Sequence, residues 1–162
     1  MWNLTSLLSN VRTASFGLPK VDSIHGNQDL IRTWRYGEVE LFNGEIVAIY
    51  PRWWPRFGSQ WESWQDSFHR TLAADSCRAY YAFPQRAPGF MSVLYARSGP
   101  GTQYKTISRA ARAMDEIARL RDVQAIVCQM VSERGTERLM KRWGYVRHAF
   151  SLGDNHYIKR LR

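Results

Sequence analysis

The stretch Ser98-Gly99-Pro100-Gly101-Thr102-Gln103-Tyr104-Lys105-Thr106-Ile107-Ser108 joins an apolar, β-rich run to a long amphipathic pattern. A strand that turns directly into a helix leaves the first N–H groups of that helix unpaired. The helix dipole adds about half a positive charge at the same end. Such a start suits an oxyanion, a phosphate above all. The backbone of residues 103–108 is the expected cradle, with Ser98 on the approach and Lys105 and Arg109 adding charge. The hydroxyls of Thr106 and Ser108 either hold a phosphate or cap their own backbone.

Other groups with chemical capacity are scattered. Glu40 and Glu45 sit on an early hairpin, where surface pairing is the first expectation and both remain eligible as a general base. His148 and His156 lie on a closing hairpin and face one another across it, while His25 falls in a loop and His69 on a helix. No His, Cys or Asp spacing has the form of a zinc site, so no metal is expected. Neither a G-x-S-x-G elbow nor a phosphate loop ending in Gly-Lys-Ser/Thr is present. Cys77 and Cys128 read as small buried hydrophobes, since two cysteines make no disulfide framework. In Arg52-Trp53-Trp54-Pro55-Arg56, arginine beside tryptophan can stack on bases or grip an acidic partner. The same stretch could also staple the sheet edge or line a substrate groove.

The elements that position these groups follow from periodicity. Leu4, Leu7, Leu8 and Val11 mark a short amphipathic helix over 3–12, capped by Asn3. Residues 13–33 read as loop, with room for a strand near their end. The run 36–50 is a hairpin turning at Asn43-Gly44, whose left-handed preference suits a two-residue turn. Ser59 with Glu62 opens a helix over 59–75 that places Trp61, Trp64, Phe68 and Leu72 on one face. Strands follow at 78–84 and 90–97. The helix 104–120 lines its inner face with Ile107, Ala110, Ala111, Met114 and Ile117. A buried strand at 123–131 leads to a helix over 133–143 that ends at Gly144. In that helix Trp143 is expected to be largely buried. The hairpin 145–150 and 156–161 closes the chain. Strands 90–97 and 123–131 should be parallel neighbours joined by a right-handed crossover.

With 162 residues, one domain is expected over 1–162. A hydrophobic share of 44% argues against disorder, and no apolar run approaches the roughly 18 residues of a membrane span. The start lacks the pattern of a secretory signal, so the expected compartment is the cytoplasm. Charge is uneven: residues 97–162 hold 14 of the 23 Lys and Arg but 6 of the 14 Asp and Glu. A surface this basic attracts phosphates, of a nucleotide cofactor or of a nucleic acid.

From residue 90 the order strand, helix, strand, helix, strand, strand resembles the GNAT N-acyltransferase superfamily. In that family a strand ends near a proline, and a Q/R-x-x-G-x-G/A loop opens a long helix. The loop's amides bind the pyrophosphate of acetyl-CoA. Pro100 and Gln103 match this loop, and its two glycine positions fall on Thr106 and Ser108. A register on Arg97, Gly99 and Gly101 leaves too long a gap before the strand at 123. The family's penultimate helix often reads A-x-x-L-Y-x-x-x-G-F. Here Leu139, Gly144 and Tyr145 agree, and Met140 replaces the tyrosine that protonates the departing thiolate.

The resemblance is carried by residues 89–162, with 1–35 as an atypical N-terminal extension. It implies an α/β (α+β) fold, a central mixed β-sheet flanked by helices; another mixed sheet, such as a doubly wound one, is the alternative. It further implies transfer of an acyl group from acetyl-CoA or another acyl-CoA to a small-molecule or peptide amine. The cofactor would lie against Ser98, Gln103, Tyr104, Lys105, Thr106, Ile107, Ser108 and Arg109. Tyr104 and Glu40 are the catalytic candidates, with Tyr95, Tyr145 and Tyr157 as further replacement acids. The alternative is a non-catalytic domain of the same fold that binds a nucleic acid or an acidic protein through its basic half.

Overall fold

A seven-stranded mixed sheet organises the chain, with strand order β4-β3-β5-β6-β7-β9-β8. The computed structural model describes residues 12–13, 19–54, 75–98, 101–129, 136–148 and 155–161. The sheet strands are β3 (Tyr36–Phe42), β4 (Glu45–Pro51), β5 (Ser76–Ala82), β6 (Phe90–Ser98), β7 (Ala125–Gln129), β8 (Val146–Arg147) and β9 (His156–Arg160). A separate two-stranded ribbon pairs β1 (Arg12–Thr13) with β2 (Pro19–Lys20). The described helices are α1 (Gln28–Thr33), α2 (Tyr104–Leu120) and α3 (Thr136–Arg142). The helices expected over 3–12 and 59–75 lie outside the described residues, apart from Arg12 and Asp75. No helix among the described residues is long and apolar enough to cross a membrane.

The expected parallel pair is present: β6 and β7 run side by side from Phe90↔Ala125 to Val93↔Cys128, and α2 connects them. All other sheet pairings among the described residues are antiparallel. The β3–β4 turn has Asn43 at φ 50° and Gly44 at φ 83°, the left-handed pair that matches the right-handed twist of its strands. At the end of α3, Gly144 takes φ 85°. The Tyr145 N–H reaches the Met140 carbonyl at 2.9 Å and the Gly144 N–H the Lys141 carbonyl at 3.0 Å, a Schellman closure.

Strand alternation divides the sheet residues between two faces. Val39, Leu41, Cys77, Ala79, Tyr81, Met91 and Ile126 join the core under α2. From α2 that core takes Ala110, Ala113, Met114, Ile117 and Ala118, with Thr106 buried at the helix start. This stripe is rotated slightly from the expected one, with Ile107 and Ala111 only half-buried. The alanines let the helix sit close to the sheet. Close approach also explains Gly37: a Cβ there would run into the Tyr81 ring.

Three features differ from expectation, the first being the ribbon β1–β2, whose Arg12 was expected at the end of a helix and whose other residues were expected as loop. Residues 28–33 form a helix where loop was expected, because six residues with Ile31 as the one buried side chain give no readable period. Trp143 is half-buried instead of largely buried. It sits at the end of α3 and stacks on Tyr104 of α2, with ring centroids 6.4 Å apart, while Met140 goes into the core.

Candidate functional site

Two features stand out, one at the head of α2 and one on the sheet face turned away from it. At the first, β6 carries one extra residue: Tyr80 pairs with Tyr95 and Tyr81 with Val93, so Leu94 is bulged. Among the described residues the last parallel pair with β7 is Val93↔Cys128, beside that bulge. Beyond it β6 continues to Ser98 paired with β5. Among the described residues β6 and β7 are not paired beyond Val93↔Cys128, where β6 continues toward α2. Bulges of this kind end pairing and re-aim strands beside binding sites. In open sheets with parallel strands, ligands gather at this end.

At the start of α2 the Gln103 N–H donates to Asp75 Oδ1 at 2.9 Å. The Thr102 hydroxyl donates to the Ser76 carbonyl at 2.7 Å, so the approach to the helix is tied to the start of β5. The residues expected to meet a phosphate are spread by the fold. Ser98, Gln103, Tyr104 and Lys105 are exposed, and Ile107, Ser108 and Arg109 are half-buried. Thr106 is fully buried, and its hydroxyl finds no partner among the described residues. Arg109 pairs with Glu116 at 2.8 Å, along the helix. The Lys105 stem lies against the β3–β4 turn at Gly44. Tyr104 stacks on Trp143, and the Arg142 guanidinium lies 5.2 Å from its ring centroid, so α3 delivers a cation to this end of α2.

The second feature grows from the sequence Tyr36-Gly-Glu-Val-Glu-Leu-Phe. Val39 and Leu41 enter the core, which turns Glu38 and Glu40 to the opposite face. The register puts Tyr50, Glu38 and Tyr80 directly opposite one another across β4, β3 and β5. In the next row Ala48, Glu40 and Arg78 are opposite one another. Glu38 is fully buried and accepts an ion-paired hydrogen bond from Arg52. Glu40 pairs with Arg78 at 2.5 Å and keeps 19% of its side chain exposed. Burial, with the charges of Glu38 and Glu40 adding to it, pushes the Tyr50 phenol well above its ordinary value. Tyr50 thus stays protonated and can donate to Glu38.

Glu40 was legible as a candidate, whereas Glu38 was not. The signal for Glu38 lies in the cross-strand register, since Tyr50 and Tyr80 become its neighbours only once β4 and β5 are paired on β3. Of the tyrosines, Tyr145 and Tyr157 are buried, and burial raises the Tyr145 phenol well above its ordinary value. Tyr104 remains exposed, and Tyr95 stands on β6 one residue past the bulge. Met140 is a core residue. His148 and His156 are brought together across the closing hairpin by a 2.8 Å backbone hydrogen bond.

Burial pushes the Cys77 thiol up to about 11 and the Cys128 thiol to about 12, so neither is a nucleophile near neutral pH. Among the described residues no group of three or more His, Cys, Asp or Glu could hold a metal ion. No protein-family model matches the chain, and no curated protein matches it.

Proposed function

We propose that this chain transfers an acyl group from an acyl-CoA to an amine, on a fold similar to that of the GNAT N-acyltransferases. The supporting observation is that, among the described residues, the β6–β7 pairing stops at Val93↔Cys128, at a bulge, on the strand that feeds α2. A gap between parallel strands exposes backbone N–H and C=O groups, which an extended amide-bearing arm can pair with as an added strand would.

The head of α2 fits the phosphate end of such a ligand. The Asp75 carboxylate on the Gln103 N–H is a stand-in oxyanion from the chain itself, and a ligand phosphate would take its place. Tyr104 and Lys105 supply the first helical amides, and Arg142 supplies a nearby cation. When bound, an acyl-CoA supplies a thioester whose C–S bond breaks as the amine's C–N bond forms. The amine must be neutral to attack, so Glu40 is assigned to accept its proton, with Arg78 holding the carboxylate in place. With Met140 in the core, the proton for the departing thiolate falls to Tyr104 or to water. Positioning carries more of the rate than a strong acid would. The reaction is assigned to the cytoplasm.

A nucleic acid or acidic protein bound without catalysis is the alternative, favoured by the concentration of 14 of 23 basic residues after position 96. Thiol release separates the two. The chain is incubated with acetyl-CoA and longer acyl-CoAs over a panel of primary amines. Amine-dependent thiol release that Glu40→Gln reduces at least about tenfold supports transfer. Release no faster than the uncatalysed rate with every amine rejects it, and the polyanion alternative then stands.

A further inference from the structure

The guanidinium of Arg52 sits in a cage suited to an organic cation. Its Cζ lies 5.4 Å from the Tyr50 ring centroid and 5.6 Å from that of Tyr80. Between these two rings, in the same cross-strand row, stands the buried Glu38 carboxylate. Two aromatic faces and a carboxylate form a recognition set for ammonium or guanidinium groups. A carboxylate this deep must be paired, because an unpaired buried charge is strongly destabilising. In the free chain Arg52 provides the pairing.

Arg52 nevertheless fills the cage incompletely. Guanidinium and carboxylate usually meet through two parallel hydrogen bonds. Here one arm of the guanidinium reaches Glu38 Oε2, while Arg52 Nε and Glu38 Oε1 are both buried without a partner among the described residues. The resident cation also lies on a path to solvent along which another cation can replace it. Arg52 is the first residue past β4, and its backbone N–H is held by the Tyr36 carbonyl at 2.9 Å. Its side chain is 28% exposed and is followed by Trp53 and Trp54, both largely exposed. Rotation of the side chain would empty the cage without unpairing β3 from β4.

We infer that Glu38, Tyr50 and Tyr80 form a subsite for a primary alkylammonium group, and that Arg52 is a built-in plug which the ligand displaces. An ammonium has three donors, enough to serve both Glu38 oxygens where the plug serves one. The register continues from Tyr80 to position 95 on β6, so the cage lies on the row that leads to the β6 bulge. Its assignment to the acceptor amine rests on the acyl-transfer proposal; its affinity for a cation does not.

The test therefore omits any acyl-CoA. n-Butylammonium chloride is titrated into the full chain, with potassium chloride at equal ionic strength and n-butanol as controls, and the Tyr50 and Tyr80 ring resonances are followed. Both rings should shift with butylammonium and with neither control. Arg52→Ala removes the plug and should tighten butylammonium binding about tenfold or more, since an occupied site lowers apparent affinity by its occupancy. Adding Glu38→Gln to Arg52→Ala should abolish that binding. Rings that do not respond in the native chain at high millimolar butylammonium overturn the inference. Binding by Arg52→Ala no tighter than native, or binding that survives Glu38→Gln, does so too. If Arg52→Ala does not fold, the native-chain titration decides alone. Because these readouts need no turnover, a failed cage and a failed acyl transfer give different results.

Discussion

The carboxylate of Asp75 accepts the backbone N–H of Gln103 at 2.9 Å, so an acid just before β5 holds the start of α2. If that oxygen occupies the place of a ligand phosphate, its charge opposes binding. Asp75→Asn keeps an accepting oxygen and removes the charge. It should tighten acetyl-CoA by roughly two- to fivefold at low salt, the equivalent of about 0.3–1 kcal/mol, in a calorimetric titration. Unchanged or weaker binding would mean that Asp75 is only a cap.

Gly37 leaves no room for a side chain beneath Tyr81. Gly37→Ala should cost about 1–3 kcal/mol in denaturant unfolding, as overpacking does. The same change made on Tyr81→Leu should cost clearly less, because the obstructing ring is gone. Equal costs in both backgrounds would place the strain elsewhere.

Tyr104 and Trp143 join α2 to α3 by a stacked pair. Each alanine variant should destabilise, and the double-mutant cycle should show a coupling of about 0.5–1.5 kcal/mol. Trp143→Ala alone should cost less than the roughly 3–5 kcal/mol of a fully buried tryptophan. A cycle with no coupling would show that the stack does not link the helices.

The two thiols make stability depend on alkaline pH. Burial raises both above their ordinary 9.0, to about 11 for Cys77 and about 12 for Cys128. Above pH 9 the unfolded chain releases these protons while the folded chain keeps them, so stability falls as pH rises. Near pH 8 neither thiol should react with a thiol reagent until denaturant is added. Full labelling of the native chain at that pH would contradict the burial. Alkaline unfolding should be delayed in Cys77→Ala relative to the native chain, after allowance for the lost packing.

Local signals made the frame of this molecule readable. Asn43-Gly44 fixed the hairpin turn and Gly144 the end of α3, because left-handed backbone selects those residues. The helix 104–120 was readable at both ends from its apolar stripe, and the parallel neighbours β6 and β7 followed from the crossover rule. The candidate site was less legible because its contacts are distant in sequence. Asp75 caps a residue 28 positions away, and no local pattern announces it. Glu38 was not singled out, because its full burial and its neighbours Tyr50 and Tyr80 appear only once two other strands are paired with β3. Thr106 stands where the resemblance has a glycine, and only the packing of α2 shows that its side chain goes inward.

Acyl transfer requires that an acyl-CoA enter between β6 and β7 and rest on the head of α2. The most direct test is a backbone amide shift map of the isotope-labelled chain, titrated with acetyl-CoA at two salt concentrations. The prediction is saturable shifts at Val93 to Ser98, at Cys128 and at Gln103 to Lys105, retained at the higher salt. Shifts scattered over exposed arginines such as Arg112, Arg119 and Arg138 that vanish as salt rises, or no shifts at millimolar ligand, would contradict it.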